Sequence, residues 1–292
     1  MAVKKRHRNK NIHNGKVNRS LAGNITMVLF LTIVSIFMIF PVIYMISNSL
    51  KPISELFLFP PRIIVRNPTI QNFVDLFNLA SNSWVPFSRY VFNTVFITLA
   101  GTVGQIIVAS FAAYALANNK FAGSKFIFKL IVLSLMFSPV VTQVPSYLIM
   151  KNLGWIDTYY SVIVPAFCGS MGLYLLKQFM EGVPDSLLES ARIDGASETT
   201  ILWRIVMPIV KPAWLTLLIL MIQNLWNMSS GYIFSEELKT LTTALNQITA
   251  GGIARTGTAG AASVLMFSIP VLVFVLVQSN VIETMGTSGM KD

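Results

Sequence analysis

Six stretches of this 292-residue chain contain no Asp, Glu, Lys or Arg: residues 21–50, 90–119, 130–150, 158–176, 213–235 and 256–282. The shortest, 158–176, holds 19 residues; as a helix rising about 1.5 Å per residue it would cross roughly 28 Å of hydrocarbon. An ionised side chain at a bilayer centre costs several kcal/mol, so the spacing of charges predicts six transmembrane helices and an all-α membrane protein. Composition agrees, with 54% of residues hydrophobic and 12% charged, against roughly 25% charged in soluble domains. An ordinary soluble fold is excluded.

Lys4, Lys5, Arg6, Arg8, Lys10, Lys16 and Arg19 precede the first window. That window is about twice the length of a signal-peptide core, and no small-x-small cleavage site follows, so a retained helix is expected. The basic tail has no aromatic residues for base stacking, which argues against nucleic acid; its expected role is to hold the N-terminus in the cytoplasm. Six crossings then return the C-terminus to the same side, with fifteen Lys and Arg inside and seven outside, in keeping with the positive-inside rule. The expected organisation is a basic cytoplasmic tail at 1–20, a first transmembrane helix at 21–50, an extracytoplasmic loop at 51–89, a core of five further spans at 90–284, and a cytoplasmic tail at 285–292.

The extracytoplasmic loop contains Pro52, Pro60, Pro61, Pro68 and Pro86 with Phe57, Phe59, Phe73, Phe77 and Trp84. Proline interrupts regular helix and aromatics favour the interface, so a partly ordered cap is expected. Within it Ile70, Phe73, Val74 and Phe77 predict a short amphipathic helix over 69–79. In the second span Gly101, Gly104, Ala109, Ala113 and Ala117 predict close helix packing. Pro139, Pro145, Pro165 and Pro270 fall in or beside later spans, where proline kinks a helix and frees carbonyls. Cys168 is the only cysteine and is expected as a small buried hydrophobe, so neither an intrachain disulfide nor a thiolate metal cluster can form. The histidines are His7 and His13, both in the tail, and no metal or catalytic histidine pattern appears.

Between the fourth and fifth windows lies a long inner segment with two predicted short helices, together at about 185–208. Ser186 with Glu189 three residues on, after Pro184 and Asp185, reads as a capping box. Gly195 reads as a helix C-terminal glycine. A second helix from about Ser197 carries Ile201, Leu202 and Ile205 on one face and is expected to stop at Pro208. Glu181, Asp185, Glu189, Arg192, Asp194, Glu198 and Arg204 are charges that a partner protein can pair with. Glu189 is equally consistent with a mere capping carboxylate.

Glu189-Ser190-Ala191, Asp194-Gly195-Ala196, then Ile205-Val206-Met207-Pro208 and Pro212 resemble the EAA motif of binding-protein-dependent ABC importer permeases: E-A-A, three residues, G, nine residues, I-x-L-P. Ser190 and Met207 depart from that pattern. The resemblance covers essentially the whole chain, including Asn118 to Lys125, and is nearest to the maltose-importer type of sugar permease. It implies a type I importer-permease (MetI-like) fold whose cytoplasmic coupling helix seats in an ATPase subunit. Glu189, Ser190, Ala191, Arg192, Asp194, Gly195 and Ala196 would lie at that junction, with Glu189 making polar contacts and Gly195 permitting the turn. The implied partners are a second homologous permease subunit, two ATPase subunits, an extracytoplasmic solute-binding protein and the lipid bilayer. No cofactor is expected in this chain, since ATP and Mg would be bound by the ATPase; no G-x-x-x-x-G-K-[ST] loop occurs.

For the substrate path the candidates are Gln223, Asn224, Trp226 and Asn227 in the fifth window, with Asn93 and Gln143, because amides and aromatic faces hold sugars. The same amides can instead bond neighbouring helices. The segment 231–257, with Gly231, Gly251, Gly252 and Gly257, can either probe a binding protein or serve as a flexible connection. A secondary carrier would show intramembrane carboxylates, which the windows lack, and an intramembrane enzyme would need a nucleophile–base or metal set. An ABC permease for peptides or phosphate would keep the fold and change only the solute.

Overall fold

The computed structural model describes residues 21–81, 84–118, 121–229, 231–252 and 255–288. The basic tail at 1–20, both histidines and residues 289–292 lie outside them. The chain divides into a first unit, 1–44, and a second, 45–292. Helix α1 (Leu21–Ser49) supplies the described part of the first unit. Its apolar side chains are open, with Phe30 63% and Phe37 73% exposed. At a mean hydropathy of 2.6 such a surface requires hydrocarbon as its solvent.

The second unit is built around α4 (Phe87–Asn118), 32 residues long, which packs on α7 (Tyr160–Phe167), α8 (Ser170–Met180) and α12 (Lys211–Trp226). Glycine makes this packing possible. A Cβ on Gly104 would stand 2.0 Å from the Phe167 ring, and one on Gly101 would stand 2.6 Å from Leu225 Cδ1. Ala109 and Ala113 are buried on the same helix. The small-residue expectation therefore holds, though the neighbours admitted are side chains. Gly104→Ala should lower chain stability by about 1–3 kcal/mol, the cost of overpacking, read as an earlier thermal transition in detergent with helicity unchanged.

Before α4 come α2 (Ile53–Leu56) and α3 (Gln71–Ser81). The amphipathic helix expected at 69–79 exists two residues later: Asn72, Leu76 and Ala80 face inward, Phe73 is half-buried against the cluster that holds Leu76, and Ile70, Val74 and Phe77 are exposed. Asn72 sets this orientation. Its Nδ2 donates to the carbonyls of Ser49 and Lys51, both at 2.8 Å, so the polar residue is the one that must be enclosed. Lys51 is also buried, its ammonium donating to Asn48 Oδ1 at 2.7 Å and to the Arg62 carbonyl. Buried Glu55 accepts from the backbone N–H groups of Arg66 and Asn67. The segment is thus pinned by polar groups bonded to main chain.

Among the described residues, four helices are long and apolar enough to cross a bilayer: Gly23–Ser49, Phe87–Asn118, Tyr160–Met180 and Thr256–Ser279. A fifth is reached if Glu198–Ile209 and Lys211–Trp226, meeting at 83°, count as one. The window 130–150 is not one helix but two, α5 (Ser124–Ser134) and α6 (Pro139–Asn152). Ser138, at φ −70° and ψ 138°, caps α6; the following proline ring forces that extended backbone and breaks the span. The window 213–235 is helical only to Trp226. Cys168 is exposed at the break between α7 and α8 rather than buried in a helix, because the break turns its side chain out of the packed face.

The last elements are α13 (Leu241–Thr249) and α14 (Thr256–Ser288). Thr240 caps α13, accepting from the Thr243 N–H, and Leu241, Ala244 and Leu245 bury into a cluster with Leu76, Tyr90 and Trp226. The segment 231–257 is therefore not a plain flexible connection. Residues 253 and 254 lie outside those described.

Candidate functional site

The segment after α8 folds as α9 (Asp185–Ile193), α10 (Glu198–Ile201), a π-helical turn Leu202–Val206 and α11 (Met207–Ile209). Gly195 holds φ +80°, its N–H donates to the Arg192 carbonyl and the Ala196 N–H to the Ala191 carbonyl, both at 3.0 Å. This is the Schellman pair that closes a helix at a left-handed residue. Two expectations need correction. Ser186 lies inside α9, which starts at Asp185 with Pro184 at the cap position and no side-chain cap, two residues before a Ser186 cap would start it. The second helix runs one residue past Pro208, to Ile209, through a wider turn in which the Met207 N–H donates to the Leu202 carbonyl.

Leu188, Ala191, Ile201, Leu202, Val206 and Met207 bury against Ala109, Ala113 and Tyr114 of α4 and Leu176 and Met180 of α8. The segment is welded to the helical core. Its charges divide into two groups. Glu181 pairs with Lys177 at 2.5 Å, and Arg192 Nε with Glu198 Oε1 at 2.8 Å, so these four are engaged within the chain. The Arg192 guanidinium, and after it the Tyr114 hydroxyl, hold the Glu198 carboxyl below its ordinary value. Glu189, Ser190, Arg192, Asp194 and Gly195 are exposed, Ala191 is buried and Ala196 half-buried. Ile193 stands 86% exposed beside them and Leu187 46%.

The path candidates separate. Gln223 and Asn227 line a groove of about 430 Å³ with Ser263, Met266, Phe267 and Phe274 between α12 and α14. The Asn227 Nδ2 donates to the Gln223 carbonyl at 2.9 Å. Asn224 is exposed next to them on α12, outside that lining. Trp226 is 6% exposed within a core cluster, and its indole N–H has no partner among the described residues. Asn93 is wholly buried: its Nδ2 donates to the carbonyls of Glu237 (2.8 Å) and Lys239 (2.9 Å), and its Oδ1 accepts from the Tyr159 hydroxyl (2.7 Å). That amide is consumed in joining helices to a loop. Gln143 is exposed on α6, apart from the groove.

Sequence reasoning missed Asp157 and Tyr114. Asp157, at φ 60°, accepts from the N–H groups of Phe234 (2.9 Å) and Ser235 (2.8 Å) and from the Ser235 hydroxyl. These bonds, the Ser235 hydroxyl first, hold its carboxyl below the ordinary range. An acidic residue in a short connection was the available signal for Asp157, since Asp tolerates the left-handed region. For Tyr114 the signal was a phenol amid small apolar residues, which needs a bonding partner once buried.

The family model described as binding-protein-dependent transport system inner membrane component matches residues 21–284. The chain belongs to this family. Among relatives of this inner membrane component, Protein LplC of Bacillus subtilis is 32% identical over 221 residues, covering 74% of this chain and 70% of its own. The arabinooligosaccharides transport system permease protein AraQ of Bacillus subtilis is 32% identical over 203 residues, 70% of this chain and 72% of its own. The galactooligosaccharides transport system permease protein GanQ of the same organism is 27% identical over 273 residues, 90% and 94% of the two chains. In fold, the inner membrane component resembles a chain of a bacterial ABC transporter involved in import of the acidic polysaccharide alginate. The TM-score is 0.72 at 23% identity, covering 89% of this chain and 98% of that one.

Proposed function

We propose that this inner membrane component is the permease subunit of an ATP-driven importer for a sugar or oligosaccharide delivered by an extracytoplasmic solute-binding protein. In this reading the chain crosses the membrane six times, with α5 and α6 together forming one crossing and both termini in the cytoplasm. The segment 185–209 is the cytoplasmic coupling loop. It presents Glu189, Ser190 and Asp194 to one of two ATPase subunits, and a second permease subunit completes the translocation path. ATP and Mg are handled by the ATPase.

The observation that carries this reading is the surface of α9. A large apolar side chain, Ile193, stands 86% exposed among the charges Glu189, Arg192 and Asp194. Those charges would not sit in hydrocarbon, so the surface of α9 meets an aqueous phase, where a protein partner can reach it. A protein cleft with an apolar floor and polar rim accommodates both Ile193 and the charges. The short helix beneath is backed by buried contacts to α4 and α8, so displacement of the loop displaces the spans. For the solute, the names of the oligosaccharide permeases above support a glycan, and the groove's two amides and one hydroxyl, Gln223, Asn227 and Ser263, are groups that bond sugar hydroxyls.

Affinity purification from the native membrane tests the reading. Wild type should bring down an ATPase, and Glu189→Arg with Ile193→Asp should release it while the chain stays inserted. Retention of the ATPase together with continued uptake would overturn the assignment of this surface. Thermal-shift screening of the cognate binding protein against sugars identifies the solute.

A further inference from the structure

Three elements of the second unit converge on the carboxylate of Glu198. It opens α10, whose cap is Ser197. Its Oε1 accepts from Arg192 Nε of α9 at 2.8 Å, and its Oε2 accepts from the Tyr114 hydroxyl of α4 at 2.5 Å and from Arg192 Nη2 at 3.4 Å. Tyr114 is 5% exposed and lies in the last turns of α4 among Ala109, Ala113, Leu188, Ile201 and Leu202. The surrounding apolar contacts hold α9 and α10 against α4 but are non-directional, so they do not select one register as a directed bond does. Glu198 is half-exposed beside Arg192, but its bond from the buried Tyr114 hydroxyl ties it to α4 in one register. Charge-assisted bonds are short, directional and roughly twice as strong as neutral ones, and a buried phenol that loses its acceptor bears a desolvation penalty.

We infer that Tyr114 is a positioning residue of the transport cycle: through Glu198 and Arg192 it fixes the register of the loop 185–209 on α4, so that loop motion becomes span motion. This rests on the coupling-loop reading above and goes beyond it, since docking of an ATPase requires only the exposed face of α9. Tyr114 is turned away from that face and buried. Its hydroxyl therefore governs how much transport each ATP yields, not whether the ATPase binds.

The test uses the full complex with its own partner subunits in proteoliposomes, measuring ATP hydrolysed and solute taken up in the same sample. Tyr114→Phe removes one oxygen and keeps the ring. The expected result is an ATPase that still co-purifies and hydrolyses, with solute moved per ATP reduced at least about fivefold. Glu198→Gln should reduce the ratio similarly, and the Tyr114→Phe, Glu198→Gln double variant should be no worse than Glu198→Gln alone, because both act through one contact. A ratio within about twofold of wild type in Tyr114→Phe overturns the inference. So does a lower yield of complex with a normal ratio in the complexes that form, which assigns the hydroxyl to folding alone. A wild-type chain that recruits no ATPase instead removes the coupling reading on which the inference stands.

Discussion

On the coupling-loop reading, a chain carrying Gly195→Val is expected to reach the membrane in normal amount but to lose its ATPase. A Cβ at position 195 meets nothing within 4 Å, and the backbone there is at φ +80°, so the substitution acts through conformation alone. Holding an L-residue in the left-handed region costs about 1–2 kcal/mol, more when it is β-branched. The chain relaxes by surrendering the two bonds that the Gly195 and Ala196 N–H groups make to the carbonyls of Arg192 and Ala191. The angle between α9 and α10 is then no longer set. If docking selects the native turn, about 2 kcal/mol corresponds to roughly a thirtyfold loss of co-purified ATPase, with uptake lost alongside. Gly195→Asn is the control, because asparagine tolerates this region; it should retain most of the partner. Equal retention by both variants would show that the turn does not position the docking face.

The second large effect is expected at Asn93. Asn93→Leu keeps the branched shape at a larger volume and removes two donors and one acceptor in a wholly buried setting. The Glu237 carbonyl keeps a bond from Arg89 Nε at 3.2 Å, so the groups left orphaned are the Lys239 carbonyl and the Tyr159 hydroxyl. At about 1–3 kcal/mol for each buried orphan, a loss of about 3 kcal/mol follows. Thermal unfolding of the purified chain would show it as a fall of several degrees, with faster amide exchange at 236–241. Gln223→Leu in the open groove should leave the transition unmoved while reducing uptake. A stable Asn93→Leu chain with impaired uptake would return Asn93 to the substrate path.

The sequence made the membrane class legible because charge is the quantity a bilayer penalises most, and its absence over 19 or more residues can be counted directly. Gly195 and the small residues of α4 were legible for a related reason: each answers a local steric demand with few solutions. Three features were not legible. The window 130–150 looked continuous, since its hydropathy carries no mark of the break that Pro139 imposes at Ser138. The buried face of α3 was not set by the apolar spacing, which counts Ile70, Phe73, Val74 and Phe77 and passes over the polar Asn72. In a chain largely solvated by lipid, it is Asn72, with carbonyl partners 21 and 23 residues away, that must be enclosed. The candidate path amides looked alike in sequence, yet Asn93 is consumed by distant carbonyls while Gln223 and Asn227 stay open. Partners more than a hundred residues apart leave no local pattern.

The exposed thiol between α7 and α8 gives the molecule a native attachment point. As the single cysteine of the chain, Cys168 lies midway along the 160–180 span, so its labelling by a maleimide fluorophore or nitroxide would report water reaching that break. A reporter there sits next to Gly169, whose carbonyl bonds Gln105 of α4 at 3.1 Å. Changes in its mobility during turnover would therefore register whether that helix interruption opens or stays shut.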